Sequence, residues 1–284
     1  MIAFKDPLFD AQLLRTLGHA SYQGSTVGEC LAAAVEIKDG DRESWHRAFT
    51  KLADRSFAAA EASEERGHRK SAEHAFLRAS SYYRAAFIFH LEAPLPDLAL
   101  RGYRRQREAF SRAARLMARP PEQLSIPFEG HSLPGWFCSA GEGRRPVVIS
   151  VGGYDSTAEE SYLWNARAAL DRGHHAIVFD GPGQGGVLFE QGVPFRPDWG
   201  PVVSAVIDAG LARPEVDPAR VVVVGESFGG YLAVKAAARD PRIAACVLDP
   251  AQVSLFRATL ARLPLPASLK ADLPNGPGLS LIHI

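Results

Sequence analysis

Two hydrophobic periodicities divide the chain. From about Ala11 to Met117, apolar residues recur at helical spacing; after Pro120-Pro121 they gather into short β-rich runs split by glycine turns. Trp45, Phe49 and Leu52 fall on one stripe. After a turn at Gly67, Phe76, Ala79, Tyr83 and Ala86 form a second, which predicts an antiparallel helical hairpin. Pro94 and Pro96 end its second helix, and another helix is predicted over Asp97 to Met117. Beyond the prolines, LSIPFEG and HSLPGWFCSA predict two antiparallel strands. The runs RRPVVISVGG, HHAIVFDG, VVVVGE and IAACVLD predict buried strands, with helices between them near 157–171, 199–212 and along YLAVKAAARD. This alternation predicts a mostly parallel α/β sheet with right-handed crossovers, whose chemistry gathers at the carboxyl ends of its strands. The expected organisation is a helical cap at 1–120, an α/β core at 121–278, and a tail at 279–284 read as an artefact outside the fold.

The chemistry concentrates at Val221 to Gly230, VVVVGESFGG, where a strand runs into a G-x-S-x-G turn and then a helix. Such a strained turn lifts a serine hydroxyl above the sheet, so Ser227 is the candidate nucleophile and the Phe228 amide the first oxyanion donor. A second donor is expected from the loop Gly152-Gly153-Tyr154-Asp155-Ser156, from the amide of Gly153 or Tyr154. Asp180 to Gly185, DGPGQG, is expected to wall the pocket, with Asp180 as a loop-fixing acceptor. Without GK[ST], or a GxGxxG opening a helix, it does not read as a phosphate loop.

An acid and a base are harder to place. Asp249, ending the next strand, is a weak candidate acid, and the only histidine after Ser227 is His283 in the terminal LSLIHI. His90, His131, His174 and His175 precede the nucleophile and are read as packing or surface residues. The expectation is therefore a chain truncated at its C-terminus and close to inactive as it stands. The strand at 243–248 is then expected to form an open sheet edge unless residues 251–273 cover it.

Composition narrows the partners. Hydrophobic residues make up 46% and charged residues 23%, with a formal net charge of zero, so nothing argues for nucleic acid or a membrane surface. Arg101, Arg104, Arg105 and Arg107 read as the solvated face of a helix. Cys30, Cys138 and Cys246 are widely spaced and odd in number, which fits reduced thiols in a cytoplasm; no metal or cofactor is expected. The N-terminus has no secretory apolar core, and no run reaches membrane-spanning length.

In order, the helical hairpin with RASSYYRAAFIFH, then GGYDSTAEE, FDGPGQG and GESFGGYLA, resemble the α/β-hydrolases of the FrsA-like esterase group. Within that group the chain is similar to the 2,6-dihydroxypseudooxynicotine hydrolase type and to fungal polyketide-shortening hydrolases. The resemblance implies a helical cap beside an α/β-hydrolase core and a Ser–Asp–His triad, with Ser227 as nucleophile. It also implies cleavage of a carbon–carbon bond next to a carbonyl in a β-diketone-like substrate, or of an ester. The partner would be a small acyl or diketone molecule, and Tyr82, Tyr83, Arg84 and Phe87 of the cap are candidates for meeting an aromatic one. A homodimer is compatible with this reading. The competing expectation is a non-catalytic scaffold, since the hairpin resembles a tetratricopeptide unit; repeat arrays, however, need about three or more units, and one is found.

Overall fold

The computed structural model describes residues 2–250. The N-terminal part is helical: α1 (Pro7–Gly18), α2 (Val27–Val35), α3 (Arg42–Glu65), α4 (Arg69–Phe87) and α5 (Asp97–Leu116). Side-chain caps start several of these helices. Asp6 accepts from the amides of Leu8 and Phe9, and Asp41 from those of Glu43 and Ser44. Helices α3 and α4 form the expected hairpin, with Trp45, Phe49, Leu52, Phe76 and Tyr83 all buried. Helices α1 and α2, which the periodicity did not separate, pack against it, Phe9 of α1 on Trp45 and Glu29 of α2 on the Tyr82 hydroxyl.

The remainder is a six-stranded sheet in the order β1-β2-β4-β3-β5-β6. Its strands are β1 (Glu122–Phe128), β2 (His131–Cys138), β3 (Arg145–Val151), β4 (His175–Phe179), β5 (Val216–Glu226) and β6 (Ile243–Asp249). Strands β1 and β2 form a hairpin whose turn residues Glu129 and Gly130 both have positive φ, at 46° and 81°. That turn matches the twist of the strands it joins. Strand β2 is antiparallel to β4, while β4, β3, β5 and β6 run parallel.

Between the parallel strands lie α6 (Ala158–Ser161), a π-helical turn (Tyr162–Ala166) and α7 (Arg167–Asp171), followed by α8 (Gly185–Phe189), α9 (Gly200–Leu211) and α10 (Phe228–Ala237). Alternation along the strands divides the apolar side chains between two faces. Val147, Ile149, Ile177, Phe179, Val221 and Val223 pack with α9 and α10. Val148, Ala176 and Val178 share one cluster with Tyr162, Phe110 and the N-terminal helices. The helical region therefore continues the sheet's own core.

Helix α5 departs from its sequence reading. Arg101 and Arg104 are exposed, but Arg105 lies 4.1 Å over the Phe57 ring and donates to the Tyr83 hydroxyl, and Arg107 pairs with Glu190 at 2.9 Å. Aromatic faces and carboxylates from neighbouring elements recruit these guanidinium groups, which a single helix's pattern does not reveal. Among the described strands β6 is an edge, with Val247 half exposed. The expected cover from 251–273, His283 and the tail lie outside the described residues.

Candidate active site

Strand β5 ends at Glu226 and α10 begins at Phe228, so Ser227 alone makes the turn. Its backbone sits at φ 52°, ψ −124°, a region that L-residues occupy only under constraint. The constraint is visible on both sides. The Ser227 amide donates to the Asp249 carbonyl at 2.6 Å, and the Ser227 carbonyl accepts from the Gly230 amide at 3.1 Å. At Gly229 any Cβ would overlap the Val151 carbonyl oxygen, so only glycine lets α10 start this close to β3. The Ser227 side chain is exposed at the carboxyl end of the sheet.

The double-glycine loop after β3 faces it. A Cβ on Gly153 would lie 3.0 Å from the Ser227 Cβ and 3.4 Å from its Oγ. The Gly153 amide is already engaged, donating to Ser156 Oγ at 2.8 Å. Among the described residues no acceptor meets the amides of Tyr154 or Phe228.

Polar side chains hold the loop and its surroundings. Gln184, from the DGPGQG segment, donates through Nε2 to the carbonyls of Gly152 and Gly153 at 2.7 and 2.8 Å, while its Oε1 accepts from the Gly181 amide. Asp180 accepts from the amides of Ala158 and Gly186, at 2.7 and 2.8 Å, and from the Tyr103 hydroxyl. Burial, together with nearby Glu159, pushes the Asp180 carboxyl up to about 7. Beneath the loop, the Glu226 carboxyl accepts from Ser156 and Ser161 hydroxyls and from the Asn165 amide, at 3.4, 3.1 and 3.2 Å. Burial, reinforced by Glu160, raises it to about 7 as well.

An ionic cluster adds a further support. Arg84 pairs with Asp155 at 2.9 Å and Glu160 at 3.0 Å, and Arg15 with the same two carboxylates at 2.9 and 2.6 Å. Burial opposes ionisation of Asp155, yet Arg84 and Arg15 bring its carboxyl down to about 2. Burial lowers the neighbouring His19 to about 4, leaving it neutral at pH 7.

A pocket of about 360 Å³ opens beside the loop, between the α4–α5 connection and α8. Leu91, Leu95, Leu188, Phe189, Tyr154 and Phe195 supply most of its apolar wall. Tyr154 stacks on Phe195 with ring centroids 5.3 Å apart, and Phe195 meets Phe228 edge-on at 5.3 Å. Ser227 is not in the lining; the pocket meets the double-glycine loop at Tyr154, Asp155 and Ser156.

The cap residues offered for substrate contact are placed elsewhere. Tyr82 donates to Glu29, Tyr83 to Asp54, Arg84 binds Asp155 and Glu160, and Phe87 packs edge-on against Phe189. All four are buried because α4 is enclosed on nearly every face by α1, α3, α5 and the loop after β3. The segment that lines the pocket instead is 91–95, just beyond α4. Asp249 contributes its carbonyl to Ser227, and its side chain is exposed. Sequence reading missed Gln184, Ser156, Glu226 and Arg15. The first three sit inside the quoted motifs and carried that signal; Arg15 carried none. Among the described residues no histidine is hydrogen-bonded to the Ser227 hydroxyl, and no group of three or more His, Cys, Asp or Glu is placed to hold a metal ion. None of the described helices is long and apolar enough to cross a membrane.

The sheet order, the serine at the strand–helix turn and the glycine loop facing it define an α/β-hydrolase fold. The chain belongs to the family described as Esterase FrsA-like, whose model matches residues 26–264. It is 39% identical over 272 residues to Hydrolase LUC6 of Fusarium sp, and equally to 20-hydroxy-prefusarin hydrolase FUS2 of Gibberella moniliformis; each match covers 92% of this chain and 64% of the relative. It is 38% identical over 278 residues to the alpha/beta hydrolase psoB of Aspergillus fumigatus, covering 93% of this chain and 62% of that one. The chain thus spans just under two thirds of the length of these relatives. In structure it is similar to the 2,6-dihydroxy-pseudo-oxynicotine hydrolase, with a TM-score of 0.75, 28% identity, and coverage of 87% of this chain and 68% of that one.

Proposed function

We propose that this chain carries the nucleophile and oxyanion site of a serine hydrolase acting on a carbonyl carbon. The reading rests on Ser227, held at positive φ with its hydroxyl against Gly153. Its Oγ adds to the substrate carbonyl as its proton passes to a histidine, and the uncommitted amides of Tyr154 and Phe228 receive the developing oxyanion. The C–C or C–O bond on the far side then breaks, and a histidine protonates the carbanion or alkoxide that leaves. The acyl-enzyme is released by water.

The substrate class is a β-diketone-like compound cleaved at carbon–carbon, or a carboxylic ester. One relative is named as a hydrolase of 20-hydroxy-prefusarin and one structural neighbour as a hydrolase of 2,6-dihydroxy-pseudo-oxynicotine, and the apolar pocket beside Tyr154 suits a partly apolar small molecule. Free thiols at Cys30, Cys138 and Cys246 fit a cytoplasmic setting, and the balanced charge fits a small-molecule partner rather than nucleic acid or membrane.

A scaffold would have no use for a strained serine, which costs roughly 1–3 kcal/mol of stability. The test is turnover of aryl esters and β-diketones by the full-length gene product, with labelling by a fluorophosphonate probe. Loss of both turnover and label in Ser227→Ala is expected; a folded wild type that shows neither sinks the reading.

A further inference from the structure

We infer that Arg84 and Arg15 are positioning residues for the oxyanion loop, so that helices of the cap set where the Tyr154 amide points. This rests on the serine-hydrolase reading above.

The geometry is specific. Asp155 directly follows Tyr154. Arg84 Nη2 reaches both the Asp155 carboxylate, at 2.9 Å, and the Asp155 carbonyl, at 3.2 Å. Arg15 Nη1 lies 3.0 and 2.9 Å from the two carboxylate oxygens of the same residue. Both guanidinium groups also reach Glu160 of α6, so each fork bridges the loop to the helix that follows it. Arg84 comes from α4 and Arg15 from α1.

From the sheet side, Gln184 holds the carbonyl of Gly153, which is the oxygen of the peptide that carries the Tyr154 amide. Asp155 holds the chain on the other side of Tyr154. Between these anchors the Tyr154 backbone makes no hydrogen bond among the described residues, and its largely exposed side chain rests on ring contacts with Phe195 and Phe228. Removing Asp155 from its forks takes away the anchor nearest the Tyr154 peptide on that side and leaves Ser156, bonded to Gly153 and Glu226, as the next.

Stability alone is a weak reason for such a cluster. The Arg84 side chain is 2% exposed and that of Glu160 1%. The desolvation of ions buried to this degree cancels much of their attraction, and apolar replacements of similar volume often do as well. What an apolar contact lacks is the planar, bidentate register of a guanidinium on a carboxylate. The cluster therefore supplies placement of residue 155, on which the neighbouring amide depends.

The test compares hydrogen exchange of the segment 152–157 in wild type, Arg84→Met and Asp155→Asn, with Arg112→Met as control. Arg112 pairs with Glu61 and Glu64 within the cap and does not touch the loop. Both loop-side variants are expected to speed exchange there by about tenfold or more, and the control to leave it unchanged. In the full-length enzyme the same variants should lower kcat by about 10–100-fold with KM within about threefold, and weaken a boronic-acid transition-state analogue in parallel. Asp155 is the more exposed partner, so Asp155→Asn decides the matter should Arg84→Met not fold. Unchanged loop exchange and kcat in Asp155→Asn, or an equal effect of Arg112→Met, overturns the inference. A wild type without turnover sinks the hydrolase reading instead, while the exchange rates still decide the anchoring.

Discussion

Gly153 and Ser227 approach so closely that a single methyl group on the glycine would stand 3.0 Å from the serine Cβ and 3.3 Å from the Glu226 carbonyl. The serine motif and the glycine loop, 70-odd residues apart in sequence, are thus one structural unit. Gly153→Ala is expected to displace the loop by a few tenths of an ångström. The cost should be about 1–3 kcal/mol of stability, typical of overpacking, with kcat lower by about 10²-fold. Urea denaturation and steady-state kinetics on the full-length enzyme check the two effects separately.

Ser227 occupies a conformation that glycine adopts freely. Ser227→Gly is expected to abolish turnover while raising stability by about 1 kcal/mol, whereas Ser227→Ala abolishes turnover and leaves stability nearly unchanged. Paired denaturation curves of the two variants measure the strain stored at the elbow. A glycine variant no more stable than the alanine one would show that the elbow is unstrained.

Gln184 satisfies two buried carbonyls and one buried amide with one side chain. Gln184→Met keeps the volume, strands the Gly152 carbonyl and the Gly181 amide, and leaves the Gly153 carbonyl with only a long bond from the Ser156 amide at 3.4 Å, so a loss of about 2–4 kcal/mol is expected. The check is the shift of the denaturation midpoint at constant slope. Because the carbonyls belong to Gly152 and Gly153, activity should fall further than the population of folded protein explains.

The Glu226 carboxyl rises from an ordinary 4.5 to about 7, through burial first and Glu160 second. Its folded form holds the proton more tightly than the unfolded chain does. The resulting stabilisation is therefore complete below about pH 4.5 and is lost as pH rises through about 7. Wild type should lose stability relative to Glu226→Gln between these values, by on the order of 1–3 kcal/mol. Asp180 moves in the same direction, so the difference between wild type and variant isolates Glu226. Denaturation midpoints at pH 5 and pH 8 decide it; equal differences at both pH values would count against the buried proton.

Local chemistry made much of this protein legible in advance. The valine run, the glycines around Ser227 and the alternation of strand and helix point to an α/β sheet with a serine at its carboxyl edge, because those preferences act over a few residues. The α3–α4 hairpin was legible for the same reason. Helices α1 and α2 were not distinguished, since their apolar residues make sense only against α3 and α4. Arg84 is the sharpest case: beside Tyr82, Tyr83 and Phe87 it looks like substrate-binding chemistry, and it is an internal ion pair.

By itself, then, the order of residues determined the α3–α4 hairpin, the strands, the strained serine and the glycine loop that accompanies it, since each follows from backbone sterics and short-range periodicity. Which carboxylates, guanidinium groups and amides would meet was decided only in three dimensions. Gln184 finds Gly152 and Gly153, and Arg15 finds Asp155 across 140 residues. Those partnerships arise from packing that brings distant polar groups out of water together, where each must find the other or carry the cost of burial unpaired.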